Sequence, residues 1–257
     1  GCVVSVNAHD YGDRHVELTE TKQQLVLENA NMLKSFKISA GRGHLNIIGD
    51  ASVSAITIDA IVGSENNKDY QLTLRKIGNR AQLLAITGGD EFEDSHAYIH
   101  LTVRVPNQLD LMVSDGSGDI QINNFISDIE VSDGSGGIDI NNIEGSLEVS
   151  DGSGHIDLSN IAGKVSITDG SGRINVNKIG SNLDISDGSG DINAVNVTGN
   201  IKVSDGSGNT VIEDVTGNVR IDDGSGNIDV NRISGKVTIS DGSGNITVDD
   251  AGSFHII

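Results

Sequence analysis

The chain has no tryptophan, one cysteine, one proline and only 3% aromatic residues. One cysteine closes no internal disulfide, so the fold must stand on packing and hydrogen bonds. Nowhere do 18 apolar residues run together, which leaves no segment fit to cross a bilayer as a helix. Basic residues are scarce as well: 17 Lys and Arg stand against 37 Asp and Glu, a formal net charge of −20. A surface this acidic repels phosphates, which argues against nucleic acid and against anionic membrane surfaces as partners. What is abundant is glycine, 33 of 257 residues, beside a hydrophobic share of 36% that suffices to close a core. Disorder over most of the length is excluded on that ground.

The glycines are not scattered. The tetrapeptide Asp-Gly-Ser-Gly begins at Asp115, Asp133, Asp151, Asp169, Asp187, Asp205, Asp223 and Asp241, each 18 residues after the last. With the Asp counted as position 1, apolar residues recur at positions 6, 8, 11, 15 and 17, as in Ile138, Ile140, Ile143, Leu147 and Val149. Positions 6 and 8, and again 15 and 17, alternate with polar neighbours, which is the period of a β-strand. Each unit therefore holds two short strands, with turns at Asp-Gly-Ser-Gly and near Gly145, Gly163, Gly199, Gly217 and Gly235.

So short a unit cannot bury its inward side chains alone, whereas stacked units align equal positions into continuous apolar rows. The expected fold is all-β, a single-stranded parallel β-helix (β-solenoid) of 18-residue coils. A left-handed hexapeptide helix has the same coil length but needs apolar residues six apart. Position 5 breaks that rule with Asp119, Gly137, His155, Arg173, Asp191, Asn209, Asn227 and Asn245. Right-handed winding is expected instead, since parallel crossovers are overwhelmingly right-handed. Eight coils spaced about 4.8 Å apart would rise roughly 40 Å. Exceptions to the rows are Thr210 at position 6 and the undersized Ala194 and Ala251 at positions 8 and 11. The last unit is one residue short, which brings Phe254 and Ile256 back into register and marks the end of the stack.

The first half is less regular. Residues 36–47 repeat the same grammar, with Phe36 and Ile38 before a Gly-x-Gly turn and Leu45 and Ile47 after it, and read as a founding coil. Longer alternating runs follow at Val53–Val62, Tyr70–Lys76, Ala81–Thr87 and Tyr98–Val105, ended by Pro106. Ile77-Gly78-Asn79-Arg80 joins two of them as a hairpin. Residues 1–15 have no lasting period and read as a flexible tether. The expected organisation is one β-helix domain over 16–257, with irregular coils and the hairpin in 16–112 and eight regular repeats in 113–257.

Three features together resemble the bacterial putative adhesin family, a domain of unknown function related to head domains of suspected autotransporter adhesins. They are Phe36-x-Ile38 leading into Gly-x-Gly-x-Leu-x-Ile, Val103-x-Val105-Pro106 before the first regular coil, and the recurrent Ser-Asp-Gly-Ser-Gly-x-Ile-x-Val units. The likeness covers about residues 34–257. It implies a parallel β-helix on an exported protein with an adhesive or scaffolding role, and supplies no catalytic residues.

The Asp row is the sharpest candidate site. Carboxylates stacked about 4.8 Å apart repel by roughly 3–4 kcal/mol per neighbour at an effective dielectric of 20, so something must compensate. One reading is a cation row on Asp115, Asp133, Asp151, Asp169, Asp187, Asp205, Asp223 and Asp241, as in calcium-binding β-rolls. Those rolls, however, carry Asp where this chain carries the apolar position 6, and have two Gly-rich turns per coil where this chain has one. The favoured reading is an Asx-turn, in which each carboxylate accepts the N–H and hydroxyl of the Ser two residues on. No cofactor is expected beyond the calcium alternative. Asn at positions 9 and 10, such as Asn123, Asn124, Asn141, Asn142, Asn160, Asn177 and Asn196, reads as an amide ladder. His96 and His100 lie four apart on one strand, about 13 Å, too far to share a metal. His9, Asp10, Asp13 and His15 read as part of the acidic tether.

Rows of Ser, Asp and Asn offer the same chemistry at every level, whereas catalysis needs unlike groups in one pocket. The expected function is therefore a non-enzymatic, exported cell-envelope scaffold or adhesin-like binder, with a calcium-binding module or a carbohydrate-active enzyme as alternatives. Its expected partner is a cell-envelope protein or polysaccharide. Gly1-Cys2 matches the residues flanking a bacterial lipoprotein cleavage point, so Cys2 is the lipidation candidate and a lipid anchor the expected membrane attachment. The expected location is the periplasm, outer membrane or cell surface.

Overall fold

The computed structural model describes residues 5–11, 14–65, 69–87 and 96–257, with side chains from Leu18 onward. The chain divides into two compact units, Gly1–Phe125 and Ile126–Ile257.

In the first unit, β1 (Ser5–Tyr11) and β2 (Arg14–Leu27) form an antiparallel ladder from Tyr11↔Arg14 to Ser5↔Glu20. The tether expected over residues 1–15 is therefore strand over Ser5–Tyr11 and from Arg14 on. A ladder held by backbone bonds needs no apolar period, so the sequence pattern did not announce it. Next come β3 (Ser35–Ala40), β4 (Leu45–Gly49), β5 (Ile56–Ser64), β6 (Tyr70–Ile77), β7 (Arg80–Thr87), β8 (Tyr98–Val105), β9 (Asp110–Ser114) and β10 (Ile120–Phe125). Strands β6 and β7 form the expected hairpin, with Ile77 facing Arg80 across a two-residue turn.

The spatial order of this unit differs from its chain order. The founding coil β3–β4 lies in the middle: β3 pairs in parallel with β7 on one side and β9 on the other, and β4 likewise with β8 and β10. Phe36 sits beside Leu111, Ile38 beside Val113, Leu45 beside Ile120 and Ile47 beside Ile122. Strand β5 runs antiparallel between β2 and β8. Alternation along a strand tells which face is inward but not which strand is the neighbour. Phe36, Ile38, Ile47, Ile58, Leu83 and Val103 are fully buried and make the centre of this core.

In the second unit most coils contribute two strands, for example Gly136–Ile143 and Leu147–Asp151, the last two run as the single strands Ile228–Asp241 and Ile246–Ile256, and all pairing between coils is parallel. The register is 18 residues throughout the regular coils: Ile138↔Ile156, Ile156↔Ile174 and Ile174↔Ile192 in one row, Leu147↔Val165 and Val165↔Leu183 in another. The five expected apolar rows are buried through Ile239, whereas Phe254 and Ile256 at the end of the stack are exposed. Thr210 is buried in its apolar row with its hydroxyl unpartnered. In the last coil the offset drops to 17 after Ile233↔Ala251, giving Val237↔Phe254 and Ile239↔Ile256, as the one-residue deletion implies.

The second Gly of each tetrapeptide explains why that position carries no side chain. Gly190 has φ 152°, and a Cβ built on it would lie 1.6 Å from the carbonyl oxygen of Gly172 in the coil before. Backbone stacks on backbone here, leaving no volume. Gly190→Ala is accordingly expected to cost about 3 kcal/mol or more, by strain at φ and displacement of a coil. Chemical denaturation checks this, and a loss below about 1 kcal/mol would contradict the close approach.

Candidate functional site

Alternation places position 1 inward after positions 15 and 17, so the Asp row faces the interior. Asp151, Asp169, Asp187, Asp205 and Asp223 are only 4–7% exposed. One carboxylate oxygen, Oδ1, accepts the backbone N–H of the Ser two residues on, at 3.3, 3.2, 3.2, 3.1 and 3.0 Å respectively. Asp133 instead accepts from the Gly134 N–H at 2.8 Å, and Asp241 from the Ser243 N–H at 3.0 Å. The other oxygen, Oδ2, of Asp151, Asp169, Asp187, Asp205 and Asp223 is buried without a hydrogen-bond partner. Asp115, in the first unit, is 7% exposed.

Burial raises the pKa of all five carboxyls. Asp169 and Asp205 are pushed up to about 6, by desolvation first and then by the Asp charges one coil away on each side. The turn N–H bonds pull the other way and are outweighed. Among the described residues no group of three or more His, Cys, Asp or Glu is placed to hold a metal ion.

The outward side of the second unit carries polar ladders. Asn160 donates its amide to Asn141 at 2.7 Å and Asn196 to Asn177 at 3.0 Å, while Asn175 donates to Asp157 at 2.7 Å. Position 10 is also left-handed in every regular coil of this unit: Asn142, Asn160, Lys178, Asn196, Asp214, Arg232 and Asp250 have φ between 48° and 62°. Asn tolerates that conformation, which supplies a second reason for its presence. Arg232 bonds Asp214 at 2.6 Å and Glu213 at 2.8 Å in the coil before, holding the Asp214 carboxyl below its ordinary range.

Two further ladders went unread in the sequence. At position 5, Asn209, Asn227 and Asn245 each donate both backbone N–H and side-chain amide to the residue 18 before. Near Gly199 and Gly217, Asn182, Asn200 and Asn218 accept backbone N–H groups of the next coil at 2.8 Å. A groove of about 420 Å³ runs along the outward rows, lined chiefly by Asp139, Asp157, Asn175, Asn193, Ser159 and Asn177.

The first unit holds a different kind of site. His44, in the turn between β3 and β4, stacks on His100 of β8 with ring centres 4.8 Å apart and planes 15° apart. The His44 backbone N–H donates to His100 Nδ1 at 3.0 Å, and His44 Nδ1 lies 3.3 Å from Asp119. Tyr98, two residues before His100 on the same face of β8, sits 4.7 Å from it and donates its hydroxyl to Glu20 of β2 at 2.6 Å. Gly63, opposite Tyr98 on β5, makes room for that ring, since a Cβ there would come within 2.4 Å of it. His100 is held below its ordinary pKa, by desolvation first and then by His44, against the pull of Glu20. Glu20, Arg42, His44, His96, Tyr98 and His100 line a groove of about 870 Å³. Sequence spacing compared only His96 with His100. The pairing of His44 with His100 follows from β4 lying beside β8, which no local signal announces. His96 lies 3.4 Å from Glu65. Cys2 lies outside the described residues, as do the side chains of His9, Asp10, Asp13 and His15.

These features define a β-solenoid with stacked polar ladders on its second unit. The chain belongs to the Toastrack DUF4097 family, whose model matches residues 85–249. Curated proteins offer no match. Among solved structures, the chain is similar to a putative cell adhesion protein from Clostridium sporogenes, at 14% identity and TM-score 0.40, covering 77% of this chain and 99% of that one. It is also similar to a putative adhesin from Bacteroides fragilis, at 17% identity and TM-score 0.42, covering 92% and 94%. A putative lipid binding protein from Parabacteroides distasonis matches at 14% identity and TM-score 0.44, covering 92% and 96%.

The raised Asp carboxyls carry a signed pH dependence. A carboxyl shifted from 3.8 to about 6 binds its proton more tightly folded than unfolded, so folding takes up protons between those values and stability falls as pH rises. Asp205→Asn keeps an acceptor for the Ser207 N–H and removes the charge. Relative to the parent, the variant is expected to melt higher at about pH 7.5, with the advantage vanishing toward about pH 4. Comparing the two proteins cancels the opposing contribution of His100. An Asp205→Asn variant less stable than its parent at every pH would contradict the buried-charge account.

Proposed function

We propose that the protein is an exported, non-enzymatic scaffold of the bacterial cell envelope that binds an envelope polysaccharide or protein through the repeated outward face of its second unit. One observation carries this reading. The 18-residue parallel register sets like side chains at one-coil intervals, as with Asp139, Asp157, Asn175 and Asn193 along the groove. A ligand that fits one coil therefore meets the same chemistry at the next, and weak contacts sum to avidity without any deep pocket. Export and an adhesive or scaffolding role are what the family likeness of the sequence implies. The net charge of −20 favours a basic or cation-bridged partner over an anionic one.

The test is an in-register deletion of the two coils Asp151–Thr168 and Asp169–Ser186, which keeps the stacking pattern. The intact and shortened proteins are screened for binding to isolated cell-envelope fractions. Partial, graded loss of binding is expected; complete loss in a protein that still folds would point to one discrete site and overturn the repeated-face reading.

A further inference from the structure

The groove of the first unit has chemistry unlike the ladders. Its lining includes a run of rings: His44 stacked on His100, and Tyr98 tilted against His100. Leu18 lies buried beneath the groove, and Gly43 and Gly118 add bare backbone to its lining. The same lining holds one carboxylate, Glu20, and one guanidinium, Arg42.

The protonation of His100 follows from its bonding. Its Nδ1 accepts the His44 backbone N–H, so the neutral ring carries its proton on Nε2. The lone pair of Nδ1 is thereby committed, and His100 offers a donor and not a metal ligand. Desolvation and the neighbouring His44 favour this neutral form. The groove thus presents a donor on the ring stack, an acceptor in Glu20 and a second donor in Arg42.

Charge narrows the ligand. An anion would meet Glu20, with Asp119 against His44 and Glu65 against His96 close by. Among the described residues no group of three or more His, Cys, Asp or Glu gathers to hold a metal cation, and an organic cation would meet Arg42. An uncharged ring bearing several hydroxyls fits both constraints: its C–H face packs against the run of rings while neighbouring hydroxyls donate to Glu20 and accept from Arg42 and His100.

We propose that this groove binds an uncharged pyranose unit of a glycan. The inference rests on the preceding reading only in taking a polysaccharide as partner, and its residues all lie in the first unit. The experiment is a titration of the intact, isotope-labelled protein with methyl β-D-glucopyranoside, methyl β-D-galactopyranoside and N-acetyl-D-glucosamine, followed by NMR. D-Glucuronate serves as the anionic control. At least one neutral sugar is expected to shift the resonances of His44, Tyr98 and His100 with a Kd of order millimolar, and glucuronate to bind about tenfold more weakly. Glu20→Gln and His100→Phe, each verified as folded by circular dichroism, are expected to weaken binding by about tenfold. The coil deletion leaves these shifts in place, so failure of the repeated face and failure of the groove show in different experiments. The proposal is overturned by no shifts with any neutral sugar, by glucuronate binding as tightly, or by binding that both variants leave unchanged.

Discussion

Parallel backbone bonding between residues 18 apart is the constraint from which the second unit follows. It stacks each Gly of the tetrapeptide on the Gly of the coil before, so closely that Gly190 has no room for a Cβ. It lines up the apolar positions into rows that, through Ile239, are almost wholly excluded from water. It also forces every polar position to sit on its own copy. The same register therefore creates both the core and the electrostatic problem.

That problem is solved differently inside and outside. On the outside, amides bond one coil to the next, and Arg232 or Lys164 reaches a carboxylate in an adjacent coil. Inside, Asp151, Asp169, Asp187, Asp205 and Asp223 each have one oxygen bonded to a turn N–H and the other buried without a hydrogen-bond partner, and burial raises their carboxyl pKa, with neighbouring Asp charge adding to it at Asp169, Asp205 and Asp223. Asp-Gly-Ser-Gly thus works as a turn whose first residue is part of the interior.

Much of this was legible in the sequence. Period-two alternation within an 18-residue repeat identifies inward positions without knowledge of partners, so Ile138, Ile140, Ile143, Leu147 and Val149 could be placed inside from pattern alone. The hairpin at Ile77–Arg80 and the 17-residue step before Phe254 were readable for the same reason. The order of coils in the first unit was not, because β3 pairs with β9 across 75 residues, as Phe36 and Leu111 show, and alternation is silent about neighbours. The left-handed position 10 was half visible in Asn142, Asn160 and Asn196, but Lys178 and Arg232 obscured it. The ring-lined groove was invisible, since Glu20, His44 and His100 come from three strands or turns far apart in the chain.

The central claim is that register turns the Asp row inward, one carboxyl over the next. Following the side-chain carboxyl carbon resonances of labelled protein through a pH titration tests it most directly. The account predicts midpoints near 6 for Asp169 and Asp205. Midpoints near the ordinary value of 3.8 at both residues would mean solvated carboxylates, and would contradict the inward row.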